Sequence, residues 1–123
     1  MSGQAPASER RRSVRLRPLL EFPIGVSIVR EAGSEQSVEV ADVSVGGLAI
    51  FASAALDHLA VESRHTLRIK LPGKAPIDAV AEVRHRRGDL TGSIGMMLVD
   101  PPSSTTSALG RYVAELLERG ALS

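Results

Sequence analysis

Between His65 and Leu71 the chain reads HTLRIKL, in which His65, Leu67, Ile69 and Leu71 alternate with Thr66, Arg68 and Lys70. Alternation at a period of two sends successive side chains to opposite faces of an extended strand. It does not fit a helix, whose apolar stripe recurs every three or four residues. The same signature returns along most of the sequence. PIGVSIV sets Ile24, Val26 and Ile28 against Gly25 and Ser27, and SVEVADV runs through Val38 and Val40, breaks at SVGG and resumes as LAIF. IDAVAEVRH turns Ile77, Ala79, Ala81 and Val83 to one face, and GSIGMMLV does so with Ile94, Met96 and Leu98. EAGSE, PGK and RRGD are turn-forming stretches between these runs, and residues 52–62 read as an irregular crossing segment. The pattern predicts an all-β fold, a six-stranded antiparallel β-barrel whose closure removes exposed strand edges.

One stretch changes period. After Pro101 and Pro102, Leu109, Tyr112, Val113, Leu116 and Leu117 recur at helical spacing. The hydroxyls of SSTTS offer N-caps and Gly120 offers a stop. The expected organisation is therefore a flexible N-terminal tail over 1–8 (MSGQAPAS) and one domain over 9–119. Within it the barrel spans about 18–100 and the C-terminal helix about 103–119. The apolar stripe of that helix is expected to face the barrel or a partner.

A hydrophobic share of 43% against 24% charged residues supports one ordinary globular core. There is no cysteine, which excludes a disulfide framework, a thiolate zinc site and a cysteine nucleophile. No apolar run reaches the roughly 20 residues a membrane helix needs, because LLEFPIGVSIV is interrupted by Glu21 and Pro23. The arginines near the start are not followed by the apolar region of an export signal. A cytoplasmic protein with no membrane insertion is the expectation.

Chemistry-bearing motifs are sparse. The sequence has no phosphate-cradling glycine loop followed by lysine, no His-Glu-x-x-His and no serine elbow. His58, His65 and His85 are scattered, as surface or core-edge residues would be, and Arg87-Gly88-Asp89 lies where a hairpin turn is expected. Of Met96 and Met97, alternation sends one to the core and the other outward. No catalytic residue, metal or cofactor is expected.

Charge is unevenly placed. Residues 1–17 hold five arginines and one glutamate, a net +4, while the remaining 10 basic and 13 acidic residues give −3. A long nucleic acid demands an extended basic track and bases to stack on aromatics. An acidic body with two Phe, one Tyr and no Trp supplies neither, so a nucleic-acid polymer is not the expected partner. Arginine outnumbers lysine 13 to 2, but asparagine is absent; both lysine and asparagine use A-rich codons, so a GC-rich genome explains the ratio. Position has to carry the function.

Two stretches do so. The first is Arg11, Arg12, Ser13, Val14, Arg15, an arginine pair four apart with Arg10 just before it. The second is DVSVGG, placing Asp42, Ser44 and Gly47 where strand alternation breaks. In this order they resemble the two motifs of the PilZ domain family, Arg-x-x-x-Arg followed by Asp/Asn-x-Ser-x-x-Gly. GSIGMML is similar to the family's glycine-bearing late strand, and the resemblance covers roughly residues 9 to 117. It implies a six-stranded barrel with a C-terminal helix, in agreement with the alternation, and a ligand: many members bind cyclic di-GMP.

Arginine suits that ligand, because its planar fork grips phosphate oxygens in pairs and also meets guanine O6 and N7 or a purine face. By resemblance the binding residues are Arg10, Arg11, Arg15, Asp42, Ser44 and Gly47. Asp42 accepts from the guanine N1–H and amine, Ser44 bonds phosphate or base, and Gly47 admits close backbone approach. A basic residue before the motif accompanies binding of two intercalated ligands in the family, and Arg10 holds that place. Ser93 stands where some members carry a bulky stacking residue, which lowers the expected affinity or leaves stacking to an arginine. Four or five charge-assisted bonds of about 1.5–3 kcal/mol reach the roughly 8 kcal/mol of micromolar binding, even after an arm is ordered.

The expected function is that of a stand-alone cyclic di-GMP receptor and adaptor with no fused output module. The ligand orders the arginine arm, and the arm and the helix face contact an unidentified protein partner. The alternative is a PilZ-like adaptor that binds no nucleotide and acts through protein partners only.

Overall fold

The structure is a computed structural model that describes residues 15–88 and 92–120. Seven strands form one antiparallel sheet: β1 (Gly25–Val29), β2 (Glu35–Val38), β3 (Val40–Val43), β4 (Gly47–Phe51), β5 (Arg64–Lys70), β6 (Ile77–Arg87) and β7 (Ser93–Leu98), in the order β2-β1-β5-β6-β7-β4-β3. One helix, α1 (Ser103–Glu118), follows.

The strand count corrects the expectation of six, and the sheet is not closed by hydrogen bonds. SVEVADV splits at Glu39 into β2 and β3, which are the two edges of the sheet. Val38 pairs with Val26 of β1 on one side, whereas Val40 pairs with Ile50 of β4 on the other. A single chain segment thus turns the corner between the sheet's two ends, with covalent continuity where a closed barrel would have a ladder. The Glu39 carbonyl at that corner accepts from the Phe51 amide at 2.9 Å. Alternation is blind to such a corner, because side chains keep their period on either side of it.

The inward faces share one core. Ile28, Leu48, Leu67, Ile69, Val83 and Ile94 are essentially inaccessible, and Leu56 and Leu59 of the crossing segment fill it from one end. Among the methionines, Met96 is inside and Met97 half exposed, as alternation required.

The helix also departs from expectation at its start. Its cap position is Pro102, with no side-chain cap, and the SSTTS hydroxyls lie inside the first turn. Proline fixes a helix-compatible φ and its carbonyl takes the amides of Thr105 and Thr106, so the helix begins directly after the proline pair. Gly120 ends it with φ +85°, the left-handed stop the sequence signalled. Leu109, Tyr112, Val113 and Leu116 are buried in the protein's own core and only Leu117 emerges. The apolar stripe is therefore consumed internally and is not the partner surface expected of it. The Phe22 ring stacks on Tyr112 at 5.1 Å, its carbonyl accepts from the Tyr112 hydroxyl at 2.8 Å, and the Arg119 guanidinium lies over the Phe22 ring, 4.4 Å from its centroid. Among the described residues no helix is long and apolar enough to cross a membrane.

Candidate functional site

The segment before β1 is tied to the sheet edge by a short reciprocal ladder. Leu16 donates to the Val43 carbonyl at 3.0 Å and Val43 donates back at 2.9 Å. Leu16 is buried in the core, so alternation sends Arg15 outward on that edge. Its Nη1 donates to Asp42 Oδ1 at 3.1 Å, joining side chains 27 residues apart in sequence. Arg15 keeps half its side chain exposed and Asp42 about a quarter.

Beyond this pair the chain makes a tight loop into β4. The Ser44 amide and hydroxyl both donate to the Gly47 carbonyl, at 2.8 and 3.2 Å, and the Gly46 carbonyl accepts from Leu98 at 2.9 Å. A Cβ on Gly47 would lie 2.2 Å from the Met96 carbonyl oxygen, a collision with backbone. Glycine at 47 is thus set by the approach of β7, and the loop presents backbone rather than side chains.

These residues form one end of a groove of about 830 Å³, within the range of small-molecule sites. Arg15, Ser44 and Gly47 line it. Asp42 meets it through Arg15. Arg10 and Arg11 lie outside the described residues, as do the expected tail over 1–8 and Asp89. Ser93 pairs with Phe51 and Arg87 at the far end of β7 and does not line the groove.

The groove is also lined by residues that sequence reasoning missed: Arg84 and His85 of β6, then Asp100 and Thr106 where β7 passes into α1. Arg84 and His85 are consecutive, and strand alternation forbids them a common face. The register between β6 and β7 shifts between Val83 and His85, however. Such a bulge inserts an extra residue and re-aims the side chains around it. His85 then stands across from Gly95, and a Cβ there would fall 2.3 Å from the imidazole Nε2 and Cε1. The absent side chain of Gly95 makes room for the ring. No signal in AEVRHRR marks the bulge, which exists only in the pairing with β7.

The other histidines are structural. His65 Nε2 lies 2.8 Å from Ser63 Oγ and its ring meets His58 edge-on at 6.2 Å. Burial first, then His58 and Arg30, hold its pKa below the usual imidazole value. Among the described residues no cluster of three metal-ligating side chains occurs. On the outer sheet face Arg68 Nε and Nη2 bind both Asp78 oxygens and Nη1 binds Glu35, all at 2.8–3.0 Å. These bonds hold the Asp78 carboxyl below its ordinary pKa.

Comparison with known proteins gives a consistent picture. The family model of the PilZ domain matches residues 9–115. No curated protein matches significantly. Among solved structures, the PilZ domain with c-di-GMP of YcgR from Escherichia coli is 17% identical, with TM-score 0.66, over 89% of this chain and 93% of that one. The inhibitor of motility MotI/DgrA of Bacillus subtilis is 20% identical, with TM-score 0.70, over 94% of this chain and 57% of that one. The K. pneumonia MrkH–c-di-GMP complex is 16% identical, with TM-score 0.72, over 89% and 53%. The chain thus spans little more than half the length of the last two.

Proposed function

Because the chain belongs to the PilZ domain family, we propose that it is a receptor for cyclic di-GMP, and that the groove beside β3 and β4 is where the ligand binds. The observation that carries this reading is the Arg15–Asp42 ion pair at the groove mouth, which joins one residue from each family motif. A cyclic dinucleotide presents phosphodiesters and guanine edges in one compact ring, and the pair offers a partner for each: guanidinium for phosphate oxygen, carboxylate for the guanine N1–H and amine. Ser44 and the backbone around Gly47 complete that wall.

The Arg15–Asp42 pair is partly exposed, so in isolation it is worth little, and ligand exchanges it for stronger charge-assisted bonds. Arg10 and Arg11, five and four residues before Arg15, then close over the ligand from the arm. The change in surface is what a partner protein reads. The protein works by binding rather than catalysis, in the cytoplasm where such a messenger is made. Relatives described as an inhibitor of motility and as a c-di-GMP-dependent transcription regulatory factor fit output through another macromolecule.

Calorimetric titration with cyclic di-GMP tests the reading and counts ligands per chain, with two expected from Arg10. Cyclic di-AMP serves as control, since its adenines have no N1–H for Asp42 to accept. Absence of binding, or equal affinity for both, would overturn the proposal.

A further inference from the structure

We propose that the outer edge of β2 takes an extended basic segment of a protein partner as an added strand, with one apolar side chain of that segment seated in a cleft beside Phe51. The inference is independent of the cyclic di-GMP reading, and the cleft shares no lining residue with the groove.

Backbone register decides which groups are free. Val26 faces Val38 and Ile28 faces Gln36. The next pair out in that alternation, Arg30 and Ser34, is bonded, the Arg30 amide donating to the Ser34 carbonyl at 2.7 Å. Bonded and non-bonded pairs alternate along an antiparallel ladder. Gln36 and Val38 therefore spend their main-chain groups on β1, while Glu35, Ser37 and Glu39 turn theirs to the outer side. The Glu39 carbonyl shows that direction, since it accepts from the Phe51 amide. Beyond this one bond the chain leaving β4 departs from the edge, with the Ala52 amide going to the Gly92 carbonyl. The outward amides and carbonyls of Glu35 and Ser37 have no partner among the described residues.

The gap is a cleft of about 210 Å³ whose lining includes Ser37, Val38, Phe51 and Leu56. That is below the roughly 300–1,000 Å³ of small-molecule sites, and Phe51 stands half exposed at it. Outward donors and acceptors at every second residue match an extended polypeptide, and a small apolar recess matches one of its side chains.

Charge selects the occupant. Glu31, Glu35 and Glu39 are all exposed on this margin. Of the cations on the neighbouring strands, Arg68 is held by Glu35 and Asp78, and Arg30 donates to the Gln36 side chain. Glu31 and Glu39 have no ion-pair partner among the described residues. A second copy is disfavoured, because antiparallel pairing about Ser37 sets Glu35 against the other copy's Glu39, and like charges directly opposite destabilise. A strand carrying lysine or arginine meets the same carboxylates favourably. The apolar stripe of α1 is spent on the core, so contact with a partner requires a surface of this kind elsewhere.

The test is an anisotropy titration of the full chain with a labelled, capped six-residue peptide in which arginine and valine alternate. It should bind saturably, and more weakly as salt rises. Ser37→Pro removes the outward amide and leaves the β1 ladder intact, so it should weaken binding about tenfold at an unchanged melting temperature. The same peptide N-methylated at alternate residues cannot pair and should lose about as much. A peptide alternating glutamate and valine should not bind. Absence of binding by the arginine peptide overturns the proposal. So does equal binding to wild type and Ser37→Pro, or by the N-methylated peptide, which reduces the interaction to attraction by an acidic surface. Equal binding of the glutamate peptide removes the choice of a basic partner. Should Ser37→Pro fail to fold, the N-methylated peptide decides on the wild type.

Discussion

Arg84 and Arg86 are two residues apart on one strand, and in a regular strand they would point the same way. The bulge between Val83 and His85 separates them. Arg84 lines the groove, whereas Arg86 reaches the crossing segment, where its Nη1 donates to the Leu56 and Leu59 carbonyls at 3.0 and 2.6 Å. Those two leucines are core residues, so Arg86 fastens the segment that plugs the core. Two guanidiniums of identical chemistry thus take opposite roles. One gives its Nη1 to two of the protein's own carbonyls and contributes to folding, and the other holds only a carboxylate of its own strand among the described residues. One extra residue in a ladder makes the difference, and the same division separates the saturated Arg68 from the half-exposed Arg15.

The division is testable. The largest effect is expected at Arg15, where Arg15→Ala should lower cyclic di-GMP affinity about 100-fold or more. A half-exposed ion pair contributes little to folding, so the melting curve should barely move. An unchanged affinity in calorimetry would place Arg15 with the structural arginines.

Arg86→Ala should behave in the opposite sense. Loss of two bonds to loop carbonyls costs about 2 kcal/mol in urea unfolding, while affinity per folded molecule stays that of the wild type. A variant that binds poorly yet unfolds normally would erase the contrast between the two faces of β6.

The smallest effect lies furthest from the groove chemistry. Burial pushes the Tyr112 phenol up to about 12, from 10.0 in an unfolded chain. The unfolded state therefore releases this proton first, and the stability it represents is intact below pH 10 and is lost as pH rises towards 12. Tyr112 is the only tyrosine, so Tyr112→Phe should flatten that decline between pH 10 and 12. At neutral pH it should lose about 1 kcal/mol with the bond to the Phe22 carbonyl. Denaturant unfolding at neutral pH and across that alkaline range measures both, and a decline as steep as the wild type's would assign the alkaline loss elsewhere.

Much of this was legible beforehand. Alternation located the strands because a half-buried sheet imposes period two on its sequence, and HTLRIKL became β5 with Leu67 and Ile69 inside. The proline pair and Gly120 bracketed the helix, since each restricts or frees φ locally. Arg15, Asp42, Ser44 and Gly47 were singled out by their resemblance to the family's two motifs, and the ladder between Leu16 and Val43 explains how Arg15 and Asp42 come into contact. What escaped was non-local. The corner at Glu39 depends on which neighbour each half of a segment pairs with, and the hydroxyls of SSTTS lost the cap because Pro102 already occupied it.

The sequence by itself determined the strands, the helix and the motif wall, because side-chain period, backbone-restricting residues and motif spacing are all written along the chain. Only the tertiary structure decided that the helix stripe is spent on the core, that the sheet turns its corner through one residue, and that Arg84 and His85 share a groove. Those depend on register between strands distant in sequence, where a slip of one residue moves a side chain from one face to the other.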